Sequence, residues 1–563
     1  MNKIIITGIL SLFLLGFFPD RYHNNLKEVN NKTQWIDSIY SNMTLKEKVG
    51  QLFMVATYSN RDKSHVDSIQ SLINNYGIGG LIFFQGGPVR QAKLTNTYQS
   101  ISKVPLLIGM DAEWGLNMRL DSTSRFPYNM TLGAIQNDSL IKQIGNQIGR
   151  HCKRLGVHLN FAPVVDINTN PNNPIIGVRS FGEDKLNVTN KALAFTEGLQ
   201  SQGILACAKH FPGHGDTATD SHKTLPTVGF SKERIDSIEL HPYRALFKKN
   251  ISGVMVAHLN VPSLEQIDGL PSSLSYNIVS TKLKQQLAFK GLVFTDALNM
   301  KGAANYKEPG DIDLAAFKAG NDVLLFTENA PKAISKIIEA YENNDISEER
   351  LAHSVKKILG AKYDVNLNQF IPIEINKLVE DLNDETNVII NELAMSNAIT
   401  IIKNDNHSLP IKAKTKAKIA FLKLGDGDSK AFISTLKSDI SIDEINATSQ
   451  KEIIKALKNY DKVIIGYHRL NYRETKTISN EDKSLIEKIS KTNHVILNVF
   501  ASQYSLKELA LKPINGIIIS YENSELAQTI SAKIMLDNLN AIGKLPASIN
   551  ADYQQNHGIE IKN

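Results

Sequence analysis

The sequence predicts an α/β protein, an N-terminal (β/α)8 TIM barrel followed by a C-terminal three-layer α/β sandwich domain. Three observations carry this. Short apolar runs alternate with amphipathic helical segments eight times between about 45 and 363, which is the rhythm of a barrel. Ionisable residues recur at the C-terminal ends of those runs, where barrels assemble their sites. A second alternation follows a polar connector, in a chain of 563 residues that is too long for one ordinary domain.

The barrel runs lie at 50–56, 80–84, 105–111, 158–166, 204–211, 253–258, 291–296 and 322–326. Each is apolar through consecutive positions, as expected of parallel strands buried on both faces. Between the third and fourth strands Ile141, Ile144, Ile148 and Leu155 recur largely at helical steps, with Asp138 or Ser139 as N-cap. Ser231 is the N-cap candidate of a helix running through Ala245 and Leu246, and Leu351, Val355 and Ile358 mark the last barrel helix. Second-domain runs follow at 398–402, 419–424, 440–445, 462–467, 494–500 and 516–521, most of them separated by helical segments. The resulting boundaries are a leader over 1–20, the barrel over 33–363, a linker over 364–385 and the second domain over 386–557.

Composition removes several classes of function. The 63 basic and 57 acidic residues are spread along the chain, with no basic stripe interleaved with aromatics, so nucleic acid is not an expected partner. Neither GxGxxG nor GxxxxGK[ST] occurs in the second domain, which leaves a nucleotide site without support. Met1-Asn2-Lys3 precedes an apolar run over 4–18, which fits a secretory signal and is short for a membrane span. Export to a periplasmic or extracellular location is expected. The lack of an obvious small-x-small cleavage site leaves an uncleaved anchor open. Cys152 and Cys207 fall in helical and strand-like apolar surroundings and are expected to be buried free thiols.

The chemistry concentrates at 209–222. Lys209-His210-Phe211-Pro212-Gly213-His214-Gly215-Asp216 leaves a strand and enters a loop that continues to Asp220-Ser221-His222. Its histidines and aspartates invite a metal reading, but Pro212 and Gly213 disfavour a helical i,i+4 pair and no common zinc spacing is present. Neither metal nor cofactor is expected. A carboxylate beside an imidazole fixes its tautomer and raises its basicity, so Asp220 and His222 suit acid/base work near neutral pH. Asp296, ending the seventh run, is a candidate nucleophile, with a helix N-cap as the plainer alternative.

The motifs KHFPGHGD at 209–216, DSH at 220–222, FAPVVD at 161–166, RSF at 179–181 and TDALNM at 295–300 then add up. With VMVAH at 254–258 and PSSLS at 271–275, the chain resembles glycoside hydrolase family 3, in its bacterial β-N-acetylglucosaminidase branch. GKLP at 543–546 fits that family's second domain. The resemblance implies a retaining hydrolase that removes terminal β-linked N-acetylglucosamine from oligosaccharides or peptidoglycan fragments. In it Asp296 forms the glycosyl-enzyme, His222 is the acid/base and Asp220 tunes it. Asp111, Arg119, Arg179, Lys209 and His210 would hydrogen-bond the terminal sugar, Asp accepting from hydroxyls while Arg and Lys donate. One departure stands out: Trp114 occupies a position the branch gives to glycine, either as packing or as an aromatic wall of the aglycone subsite. The competing readings are a β-glucosidase or β-xylosidase of the same family, an N-acetylglucosaminide phosphorylase, and a non-catalytic sugar-binding protein.

Overall fold

The computed structural model describes residues 20–219, 224–412, 414–472, 474 and 476–562. Eight parallel strands form the first sheet: β1 (Phe53–Thr57), β2 (Gly80–Phe83), β3 (Leu107–Met110), β4 (Leu159–Asn160), β5 (Leu205–Phe211), β6 (Gly253–Val256), β7 (Leu292–Thr295) and β8 (Leu324–Leu325). They pair in chain order, β1 also pairs with β8, and a bridge from Phe294 to Val323 closes the circle between β7 and β8. The burial pattern explains the parallel arrangement, since β2, β3, β6 and β7 are buried at every position.

The fourth strand is shorter than the apolar run over 158–166 suggests. Only Leu159–Asn160 forms a ladder, because Pro163 has no N–H to give and the chain continues extended with a single bridge from Val164 to Lys209. The helix Asp138–Arg154 is capped by Asn137, whose side chain accepts from the Ser139 N–H, and not by Asp138 or Ser139. Ser231 does cap its helix, but that helix ends at Ser237 and a second one, His241–Lys248, follows. Pro242 accounts for the break, since it has no N–H to continue a helix and suits a first turn instead. Ser347 caps the last barrel helix, Glu348–Asp364.

The second sheet contains β9 (Thr400–Asn404), β10 (Ile419–Leu424), β11 (Asp443–Glu444), β12 (Lys462–His468), β13 (His494–Phe500) and β14 (Gly516–Ile519), in the order β11-β10-β12-β13-β14-β9. All neighbours are parallel except β9, which lies antiparallel on β14 at the edge. Alternate residues of the central strands serve opposite faces. Ile464, Ile496 and Ile518 pack with Phe432, Leu436 and Ile534 of the helices Lys430–Asp439 and Glu525–Met535. Val463, Ile465, Val495 and Leu497 pack with Ile453, Leu457 and Leu485 of Gln450–Leu457 and Asn480–Ser490. This is the three-layer sandwich. Past the last helix the tail crosses β9, with bridges Ile401–Ile559 and Ala541–Ile561. It also touches the barrel, where Lys544 N–H donates to Ala134 O (3.0 Å) and Glu183 N–H to Pro546 O (3.1 Å). Gly182, at φ 140°, permits this contact, for a Cβ there would lie 2.3 Å from Pro546 O.

Both cysteines are buried and free. Among the described residues no helix is long and apolar enough to cross a membrane.

One buried charge lies at the N-terminal end of the barrel. Lys362 is fully buried and donates to Gln51 Oε1 (2.6 Å). Burial pulls its ammonium down to about 7 from an ordinary 10.5. The folded state therefore releases a proton that the unfolded chain keeps, and stability rises as pH climbs from about 7 to about 10.5. Lys362→Met should flatten that rise and, near pH 6, increase stability by several kcal/mol, on the order of 5 at most. Thermal unfolding of both proteins across pH 6 to 10 measures this. Parallel curves would show that the proton is not released there.

Candidate active site

The C-terminal ends of the barrel strands surround a cavity of about 740 Å³. Asp111 follows β3, Lys209 and His210 lie within β5, and Asp296 follows β7. Arg119 comes from the loop after β3 and Arg179 from a short 3₁₀ turn, Gly177–Arg179. All six line this cavity, so the structure brings these predicted residues together. Asp220, Ser221 and His222 lie outside the described residues.

The β5–β6 register shifts between Ala208 and Phe211. Such an irregularity takes side chains out of the regular ladder and re-aims them, here Lys209 and His210. The turn that follows needs Gly215, where a Cβ would sit 1.9 Å from Ile167 O.

The charged groups interlock. Lys209 Nζ reaches Asp111 Oδ1 at 2.7 Å and Glu113 Oε1 at 2.8 Å. Arg179 donates to both oxygens of Glu113, at 3.0 and 2.7 Å, and Arg119 donates to Asp111 Oδ2. Burial raises the carboxyl pKa of Asp111 and Glu113, yet the adjacent cations outweigh it and hold both below the carboxylate range, Glu113 at about 2. Burial lowers the Lys209 ammonium, but Asp111 and Glu113 more than restore it.

His210 is fixed on both sides. Its Nδ1 lies 2.6 Å from Asp166 Oδ2 and its Nε2 lies 3.3 Å from the Arg179 guanidinium. Arginine only donates, so Nε2 accepts and Nδ1–H donates to the carboxylate. Asp166 also accepts the His214 N–H at 2.7 Å. His258 lies under the nucleophile candidate, 3.0 Å from Ala297 O through Nε2 and 2.6 Å from Ser273 Oγ through Nδ1.

Asp296 is half-buried on the cavity lining, with Oδ1 accepting the Ala297 N–H at 2.8 Å. Burial raises its pKa, but His210, His258, the Ala297 N–H and Lys209 together bring it below the ordinary value. It is ionised at neutral pH and can act as nucleophile or as a stabilising charge. Trp114 is both packed and exposed to the cavity: it is buried, meets Tyr128 edge-to-face at 4.9 Å, and lines the opening.

Glu113, Asp166, His214 and His258 belong to the assembly, although sequence reading gave them no role. Asp166 and His258 carried a signal as the ends of apolar runs. Glu113, two residues beyond Asp111, had only its charge. Among the described residues no group of three or more His, Cys, Asp or Glu side chains is placed to hold a metal ion.

A closed parallel barrel carries ionised carboxylates, fixed cations and oriented imidazoles at its C-terminal mouth, the place where barrel enzymes assemble their sites. The family description "Glycosyl hydrolase family 3 N terminal domain" matches residues 44–361. The chain belongs to glycoside hydrolase family 3. It is 33% identical over 376 residues to the β-hexosaminidase A of Pseudoalteromonas piscicida, an alignment covering 61% of this chain and 62% of that relative. A β-N-acetylglucosaminidase/β-glucosidase of Cellulomonas fimi is 28% identical over 70% of this chain and 71% of its own length. A family 3 β-N-acetylglucosaminidase from a Paenibacillus species superposes with a TM-score of 0.75 at 29% identity, covering 90% of this chain and 99% of that one. The chain thus spans a little under two thirds of the length of the Pseudoalteromonas relative.

Proposed function

We infer that the protein is a retaining β-N-acetylhexosaminidase that removes terminal non-reducing β-linked N-acetylglucosamine from oligosaccharides or peptidoglycan fragments. The observation that carries this reading is the placement of Asp111, Arg119, Arg179, Lys209 and His210 around one cavity with the ionised Asp296. Asp111 accepts from sugar hydroxyls, while Arg119, Arg179 and Lys209 donate to ring substituents. Asp296 attacks C1 to give a glycosyl-enzyme. His222, tuned by Asp220, protonates the departing oxygen and then activates water. The names of the relatives from Pseudoalteromonas and Paenibacillus support this substrate class.

The apolar run over 4–18 supports a periplasmic or extracellular location in this reading.

Release of para-nitrophenol from the β-N-acetylglucosaminide and the β-glucoside, with and without phosphate, tests the proposal. A preference for the N-acetylglucosaminide of about 10²-fold or more in kcat/KM, indifferent to phosphate, is the expected result. Dominant glucoside turnover would move the protein to the glucosidase reading, phosphate-dependent release to the phosphorylase reading, and no release to a binding role.

A further inference from the structure

The second domain pushes one carboxylate into the barrel. Glu522, just beyond β14, is buried to 1% exposure, and among the described residues the hydrogen-bond donors to its carboxylate all come from the first domain. Its Oε1 accepts the Tyr128 N–H at 2.8 Å and the Thr131 hydroxyl at 2.9 Å, and its Oε2 accepts from Arg125 at 2.5 Å. These donors lie just before and within the short helix Asn129–Gly133.

Two paths lead from that helix to the cavity. The Asn129 amide donates to Arg179 O at 2.6 Å, and Arg179 is the residue that grips Glu113 and faces His210. The Tyr128 ring meets Trp114 edge-to-face and is backed by Tyr472 of the second domain at 6.0 Å, with Arg125 4.7 Å above it. Trp114 and Arg179 both line the cavity. A buried carboxylate satisfied by a backbone N–H, a hydroxyl and a guanidinium fixes its donors in direction as well as distance.

We propose that Glu522 is a positioning residue, through which the second domain sets the placement of Arg179 and of the Trp114 wall and so governs sugar binding in the barrel. The second domain then has a part in substrate affinity without touching substrate. The kinetic half of the test rests on the hydrolase reading above; the spectroscopic half does not.

Only two tryptophans occur in the chain, and Trp35 packs on Tyr363 away from the cavity. In a Trp35→Phe background the emission of Trp114 reports the wall directly. Glu522→Ala in the full chain should shift that emission to longer wavelength. It should also raise KM for the aryl N-acetylglucosaminide about tenfold while leaving kcat within about threefold. Glu522→Gln, whose amide oxygen still accepts from Tyr128 and Thr131, should fall between it and the parent. If Glu522→Ala does not fold, Glu522→Gln and Thr131→Val carry the test, each with a smaller shift in emission and in KM. Variants that lose thermal stability yet keep the parent's emission and KM would overturn the proposal and leave Glu522 a structural clamp. If the parent cleaves no N-acetylglucosaminide, the hydrolase reading has failed, and the emission of Trp114 alone still decides the positioning role.

Discussion

Replacing Asp296 with alanine should lower kcat on the aryl N-acetylglucosaminide by at least about 10⁴-fold while leaving the protein folded. Among the described residues the carboxylate accepts one hydrogen bond, from the adjacent Ala297 N–H, so its removal breaks no network there that supports the barrel. The group nevertheless stands ionised among His210, His258 and Lys209, which is what a nucleophile at neutral pH requires. A fluorinated N-acetylglucosaminyl fluoride gives a sharper check. Its leaving group departs readily while the ring fluorine slows breakdown of the intermediate, so the peptide containing Asp296 should carry the sugar mass. An adduct on any other carboxylate would remove Asp296 from the nucleophile's place.

Glu113→Leu should produce the largest loss of stability of any single change in the site, about 3–5 kcal/mol at pH 7. Glu113 is buried and shares its oxygens between Lys209 and Arg179. Without it, Arg179 keeps as hydrogen-bond partners among the described residues His210 and the Ile175 carbonyl, at 3.3 and 3.5 Å. A buried cation stripped of its partner costs far more than the pair contributed net. The pH dependence has a definite sign. The folded-state pKa is held at about 2 against an ordinary 4.5, so the stability Glu113 supplies is complete above about 4.5 and fades as pH falls toward 2. The gap between wild type and Glu113→Gln in urea unfolding should therefore narrow through that interval. A Leu variant within 1 kcal/mol of wild type would show that Arg179 and Lys209 find other partners.

The fold was legible because barrel strands buried on both faces write themselves as unbroken apolar runs, and the site because ionisable residues end those runs. Asp111, Lys209, His210 and Asp296 could be picked out on that basis alone. Lateral relations could not. Glu113 looks like any acidic loop residue until Arg179 folds across it, and His210 shows no orienter until Asp166 arrives from the neighbouring strand. Local signals also compete: Asn137, Asp138 and Ser139 can all cap a helix, and only the backbone's turn into helical geometry selects the first. The break before Pro242 followed from the residue itself, but the apolar periodicity running across it concealed the stop. Glu522 lies almost four hundred residues from its partners and left no trace in any local pattern.

The tail that crosses β9 has a meaning for solubility. An edge strand offers a row of unused N–H and carbonyl groups to any passing chain. Here the Ile559 N–H donates to Ile401 O at 2.7 Å, and the same tail rests on the barrel through Lys544 and Pro546. One short stretch thus acts as a guard rail for the sheet and as a strap between the domains. Cutting it would expose a sticky margin on the second sheet while Glu522 still joined the domains, so clumping, more than inactivity, would be the first symptom of damage there.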